Sequence, residues 1–467
     1  MTSTDFTLFD WSLIALYFLF LIWLSWKKGW QYDTEETFLL SGRKVTLPAF
    51  VATLVSTWYG GILGVGEWSY QFGISQWLIL GFPFYFFSAI FAVFLAGKIR
   101  LNKALTIPEA VGNQYGKRAG RISAIPIFIL VSPAPYILML GLIFQFLIGG
   151  DAPFLFYASL VALFSVLYIT VGGFDAVIRT DMLQVILMFG GFIILLSFSV
   201  AEFGGFGTLI NSLPDLHLDI TGGNSLQYIL VWFFIALWTF VDPSFHQRAA
   251  AAGSPEVARK GIFTSIAFWV AFDFLTCFAG LYAFAILGEG LQQPVLAYPV
   301  LADTLLPAGL KGLFFVSLLA TIMSTLDSYL FLSGQTLGRD YLRDYFPKAN
   351  PNLLTRVSIL ISALIGILLI IIYPSVIDLW YVIGSIFIPG LLIPVLGIYP
   401  EPFRFPPRVV YWSIFGCTLV SLAWLILGTA FPTEGAGYAY LGIEPFYPGL
   451  TVAIVLWVSG QVAKRGE

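Results

Sequence analysis

This chain is short of charge: Asp, Glu, Lys and Arg together make up 10% of its 467 residues, where a soluble globular chain carries about 25%. That shortage excludes water as the main solvent of the folded surface. Cysteine and histidine are scarcer still, with two residues of each. Cys277 and Cys417 both lie in apolar runs with no second cysteine or histidine at ligand spacing, so neither a disulfide framework nor a zinc site is supported. The two histidines offer little to an enzyme: His217 falls in an outer loop and His246 stands beside Arg248, in a structural setting. A net charge of -3 without a basic cluster beyond the needs of membrane orientation argues against nucleic-acid binding. No linker, low-complexity tract or nucleotide-binding motif occurs. The longest polar connections, near 29–47, 98–121 and 340–354, leave no room for an attached soluble domain.

What is present is hydrophobic residues, 58% of the chain. Crossing a bilayer takes about 20 mainly apolar residues. Thirteen stretches qualify, beginning near residues 8, 48, 75, 122, 152, 177, 226, 259, 310, 354, 376, 408 and 446. The expectation is therefore an all-α polytopic membrane protein, with residues 1–467 forming a single membrane domain embedded in the lipid bilayer. Lysine and arginine collect in cytoplasmic loops. Here 22 of the 23 basic residues fall in alternate connections: Lys27 to Lys44, Lys98 to Arg121, Arg179, Arg248 to Lys260, Arg339 to Arg356, Arg404 with Arg408, and Lys464 with Arg465. Only Lys311 lies on the other side. An outside amino terminus and a cytoplasmic carboxyl terminus follow. The charges of the first stretch, Lys27 and Lys28, come after the apolar run, unlike those of a signal peptide.

Two spans contain helix breakers near mid-membrane. In the second, Ser56-Thr57-Trp58-Tyr59-Gly60-Gly61 runs on to Gly64 and Gly66, and each glycine penalises continuous helix by about 1 kcal/mol. In the seventh, Phe240-Val241-Asp242-Pro243 sets a proline where a backbone hydrogen bond is lost. Glycine in membrane helices also serves close helix approach. Interrupted helices at corresponding positions of two halves nevertheless point to a binding site on inverted repeats. The repeats are expected at 48–200 and 225–400, preceded by an extra helix at 8–28 and followed by two helices within 408–463.

The ninth span carries a polar stripe. Ser317, Thr321, Ser324 and Ser328 recur at helical spacing, with Asp327 on nearly the same face. A carboxylate inside a membrane is costly and marks an ion or proton route. Hydroxyls joined by carbonyls from a broken neighbour suit a hard cation, sodium being the natural occupant. One charge crossing 100 mV yields about 2.3 kcal/mol, enough for roughly fiftyfold accumulation of a solute.

At this point the chain resembles the sodium:solute symporter family over nearly its whole length. The likeness rests on Thr37-Phe38-Leu39-Leu40-Ser41-Gly42-Arg43, Thr106-Ile107-Pro108-Glu109, Val171-Gly172-Gly173 with Arg179-Thr180-Asp181, Asp242-Pro243-Ser244-Phe245-His246-Gln247-Arg248, and Ala320 to Ser328. It implies a ten-helix inverted-repeat core of the LeuT type and transport by alternating access. It also implies a principal sodium site of the Ser324 and Thr325 hydroxyls with carbonyls of Thr321, Val55 and Trp58, and a second sodium at Asp181, Asp327 and Ser328. Thr57-Trp58-Tyr59-Gly60-Gly61 is similar to the choline-transporter motif, although Asp242 stands where those proteins have a second tryptophan. The solute is expected between the second and seventh spans, against Thr57, Trp58, Tyr59, Gly60, Gly61, Asp242 and Phe245. Glu67 is expected in the outer vestibule, and Asp273 has no assigned part. The function implied is sodium-coupled symport of a small amine, amino acid, sugar or carboxylate at the plasma membrane, which is the cell inner membrane if the source is bacterial. Neither nucleic acid nor an obligatory protein partner is called for. Proton coupling through Asp181, Asp327 or Glu67, or a non-transporting sensor or pore of the same fold, are the alternative readings.

Overall fold

The computed structural model describes residues 5–26, 34–149, 151–433 and 438–466. Lys27 and Lys28, and the side chains of Lys464 and Arg465, lie outside the described residues. Apart from two isolated bridges, Val45 with Ala252 and Tyr440 with Ile443, the regular structure among the described residues is helical.

Among the described residues, ten helices are long and apolar enough to cross a membrane. They fall at ten of the expected places: the second span is Leu47–Phe72, the third Trp77–Phe94, the fourth Lys117–Ile148, the sixth Gly173–Phe203 and the seventh Leu226–Ala251. The eighth is Pro255–Leu287, the ninth Leu310–Asp344, the tenth Pro351–Ile372, the eleventh Val376–Leu396 and the twelfth Val409–Ala430. Shorter apolar helices, Leu8–Leu24, Phe154–Thr170 and Phe446–Val462, occupy the first, fifth and thirteenth places. A further short one, Pro294–Leu305, lies in the connection between the eighth and ninth spans. The fifth and sixth run together through a kink at Gly173, whose φ of 59° glycine adopts without a Cβ clash.

Burial sorts the spans into centre and rim. The most apolar windows of the second and ninth spans are each 89% buried, whereas that of the twelfth is 33% buried. The tenth turns Leu360, Leu364, Leu368 and Ile371 outward, which suits a face solvated by acyl chains as apolar as the side chains themselves. The helices with the polar stripe and the glycine cluster are thus the innermost pair.

Both expected interruptions are present, for different reasons. The second span is helical over Leu47–Trp58, tightens to a 3₁₀ turn at Tyr59–Gly61 and resumes over Ile62–Phe72. Its glycines matter less through their helix penalty than through contact. A Cβ on Gly60 would stand 2.0 Å from Thr325 Oγ1, and one on Gly61 2.0 Å from Trp380. The seventh span breaks at Asp242, which is extended at φ -72° and ψ 116° and caps the helix Pro243–Ala251 by accepting from the Ser244 amide at 2.7 Å. Phe240 thereby loses the amide that would follow it in a helix. His246 Nε2 takes its carbonyl instead, at 2.9 Å.

Candidate functional site

A cavity opens between these interruptions. Thr57, Trp58, Tyr59, Gly61 and Val65 of the second span, Asp242 and Ser244 of the seventh, and Trp380 of the eleventh contribute to its wall. Together with Gln76, Asp273, Tyr136, Tyr329 and further aromatics they enclose about 820 Å³ of empty space, open solvent at the mouth included. Trp58 is fixed by aromatic neighbours, its ring centroid 4.6 Å from Phe84 and 5.2 Å from Trp269. Edge-tilted packing of this kind holds a large ring in one orientation.

Directly behind this wall lie the hydroxyls of the ninth span. Thr325 Oγ1 donates to the Thr57 carbonyl at 2.7 Å, so the ninth span is tied to the second just before the 3₁₀ turn. Ser324 Oγ is fully buried with no hydrogen-bond partner among the described residues. A buried orphan hydroxyl costs about 1–3 kcal/mol, a cost that a bound cation would offset. Thr321 turns its own hydroxyl to the Ser317 carbonyl at 2.7 Å. The donor set of hydroxyls and carbonyls fits a hard monovalent cation by its chemistry.

Arg248 dominates the level below. Its guanidinium is buried, donates through Nη2 to Thr57 Oγ1 at 2.5 Å and Ser328 Oγ at 2.9 Å, and through Nε to the Thr53 carbonyl at 3.2 Å. Nη2 also lies 3.6 Å from Asp181 Oδ2, which accepts a short hydrogen bond from Thr53 Oγ1. Asp181 and Ser328 are therefore brought together by the arginine between them. Asp327 lies beside Tyr168 and near Asp181, and neither of its oxygens meets a donor in hydrogen-bonding geometry among the described residues.

The comparisons with known proteins decide what this arrangement belongs to. A profile of the Sodium:solute symporter family matches residues 38–401. The chain belongs to the sodium:solute symporter family. It is thus a membrane transporter of the sodium-symport class, and not an enzyme. The symporter is 27% identical to a sodium/glucose cotransporter of Vibrio parahaemolyticus over 69% of its own length and 66% of that protein's. It is 23% identical to the osmoregulated proline transporter OpuE of Bacillus subtilis, over 97% of this chain and 94% of the other. The high-affinity choline transporter 1 of Drosophila melanogaster matches at 24% over 94% and 72%. Among solved structures, a substrate-bound, outward-open Na+-coupled sialic acid symporter superposes with a TM-score of 0.75 at 14% identity, covering 98% of this chain and 97% of that one. Mhp1, a nucleobase-cation-symport-1 family transporter in a closed conformation, gives 0.60 at 15% identity over 91% and 94%. These two likenesses concern the fold.

The symporter's cavity does not take up all the residues expected of it. Thr57, Trp58, Tyr59, Gly61 and Asp242 line it. Gly60 lies against Thr325 instead. Phe245 is buried behind Trp58, with ring centroids 5.8 Å apart, and supports that ring without facing the cavity. Glu67 is half-buried and lies near Asp378, at the start of the eleventh span. Gln76, Tyr136, Tyr329 and Trp380 were not legible as lining residues. Trp380 alone left a trace, since Gly61 and Gly64 make room for its ring.

Proposed function

We propose that this symporter couples sodium entry to uptake of a small organic solute held in the cavity between the second and seventh spans. The observation that carries the reading is the pairing of an orphan hydroxyl, Ser324, with Thr325, whose bond to the Thr57 carbonyl reaches a residue of the cavity wall. Ser324, Thr325 and the carbonyls of Val55, Trp58 and Thr321 would hold the principal ion. When bound, sodium supplies positive charge and the free energy of its gradient. Asp181, Asp327 and Ser328 are the residues for a second ion, which would have to share Asp181 and Ser328 with Arg248.

Oxygens from the ninth and second spans that share one cation are held together, and the second span is also solute wall. Solute affinity should therefore rise with sodium, and sodium affinity with solute, by the same factor. The two inverted repeats span 48–200 and 225–400, with the amino terminus outside, the carboxyl terminus in the cytoplasm, and the protein in the plasma membrane. Basic residues from separate connections converge at one end of the bundle: Arg43 donates to the Asn102 carbonyl at 2.9 Å and Arg339 to Glu35 at 2.7 Å. At the other end Asp10 accepts from the amides of Gly309 and Gly312 at 2.7 and 2.8 Å.

The test is thermal stability of the purified protein in sodium chloride against potassium chloride, repeated with Ser324→Ala and Thr325→Ala together. A stabilisation by sodium that the double substitution abolishes is expected. Equal stability of the wild type in both salts would sink the reading.

A further inference from the structure

We propose that the solute is a small protonated amine whose N–H groups are received by Asp242 and Asp273; this rests on the sodium-symport reading of the same cavity. Two carboxylates from different spans, the seventh and eighth, line one cavity, and no lysine, arginine or histidine does so among the described residues. Both are buried, at 1% and 3% exposure. Asp242 receives the Ser244 amide at 2.7 Å and the Tyr329 hydroxyl at 3.3 Å, while Asp273 Oδ2 receives a short hydrogen bond from Tyr85. A carboxylate can accept about four hydrogen bonds, so each keeps room for a donor from the cavity. The nearest guanidinium, Arg248, is committed to Asp181, Thr57 and Ser328.

Gln76 gives an independent sign that something polar belongs there. It is 0% exposed, lines the cavity beside Asp273, and neither its amide oxygen nor its amide nitrogen meets a partner in hydrogen-bonding geometry among the described residues. Buried amides are normally paired, and a solute with N–H groups would complete this one. Trp58, Trp380 and Tyr136 supply ring surface around it, and aromatic faces attract cations. The chemistry sorts candidate solutes. An anion would meet two like charges in the wall, with the Arg248 guanidinium behind that wall and paired to Asp181. A neutral sugar could donate hydroxyls but would bring no charge to balance the two buried carboxylates, and a buried charge left unbalanced costs several kcal/mol. A quaternary ammonium would bring charge but no N–H for the carboxylates and Gln76.

The experiment is stability in saturating sodium with a methylated series of one amine, from primary to quaternary, beside a neutral sugar, a zwitterionic amino acid and a carboxylate. Asp242→Asn and Asp273→Asn are titrated in parallel. Asparagine caps helices as well as aspartate does, so the break at residue 242 should survive. The primary amine should stabilise most, with its midpoint raised at least tenfold in each variant, while the response to sodium alone persists. A sugar, amino acid or carboxylate that stabilises more, a quaternary amine that matches the primary one, or variants that bind the amine like the wild type would each overturn the proposal. Loss of the sodium response with amine binding intact would instead remove the coupling reading and leave the cation site. Should a variant fail to fold, uptake by the wild type of an amine against its uncharged N-acetyl form decides: about tenfold preference is expected, and equal uptake refutes the claim.

Discussion

Ser324 and Thr325 are neighbours with opposite energetics, and that difference separates folding from ion binding. Thr325 makes a bond whose loss strands a buried carbonyl, whereas Ser324 makes none. In potassium, Thr325→Ala should lower stability by about 1–3 kcal/mol and Ser324→Ala by little. In sodium, each should lose most of the ion's stabilising increment. Thermal unfolding of the two single variants in both salts checks this, and equal losses for Ser324→Ala in the two salts would free that hydroxyl from any part in ion binding. Arg248 poses a different question, because it is a buried cation with several partners. Arg248→Met should cost about 3–5 kcal/mol by leaving Asp181 unpaired, and the double variant Arg248→Met with Asp181→Asn should recover part of it. Denaturant titration of the two variants reads the difference, and no recovery would mean that the bonds to Thr57 and Ser328 matter more than the charge pair.

At the scale of elements, the close approach of the second span to the ninth carries the greatest consequence. With no room for a Cβ at Gly60, Gly60→Ala must move one helix away from the other, and overpacking of this kind costs about 1–3 kcal/mol. The variant should fold with reduced stability and lose its sodium response, as read by the same thermal comparison; a full response would show that the two helices need not touch there to bind the ion. How much of this was legible in the chain follows from the range of each signal. Hydrophobic runs are local, so ten spans lie where the sequence places them, with three shorter helices at the remaining places. Pro243 acts on its own helix, so the break beside it could be read directly. The glycines of the second span could be read as breakers or as contact points, and only the facing side chains of Thr325 and Trp380 separate the two. Asp273 stayed without an account because its hydrogen-bond partner, Tyr85, belongs to the distant third span. Phe245 packs behind Trp58 for a related reason: one residue of helical rotation decides whether a ring lines a cavity or backs its wall, and residue type does not encode that rotation.

At the scale of the whole molecule, one end is locked by ion pairs. Arg339 holds Glu35 at 2.7 Å, Glu109 at 3.1 Å and Asp340 at 2.9 Å, joining the segments before the second and fourth spans to the end of the ninth. Alternating access requires such contacts to part. Arg339→Gln should favour opening at that end, increasing maleimide labelling of Thr336→Cys, a position now 3% exposed, several-fold in vesicles that present that end to the reagent. Unchanged labelling would mean that other contacts keep the end shut. The guanidinium of Arg248, reaching both Thr57 and Ser244 of the cavity wall from behind, has an electrical consequence as well. It is a tethered positive charge behind the side of the cavity lined by Thr57 and Ser244, and at a separation of about 5 Å such a charge repels a monovalent cation by roughly 3 kcal/mol at an effective dielectric constant near 20. A cation resting in the cavity thus meets a barrier to slipping through alone, so that uncoupled leak current is suppressed by the same side chain that holds the spans together.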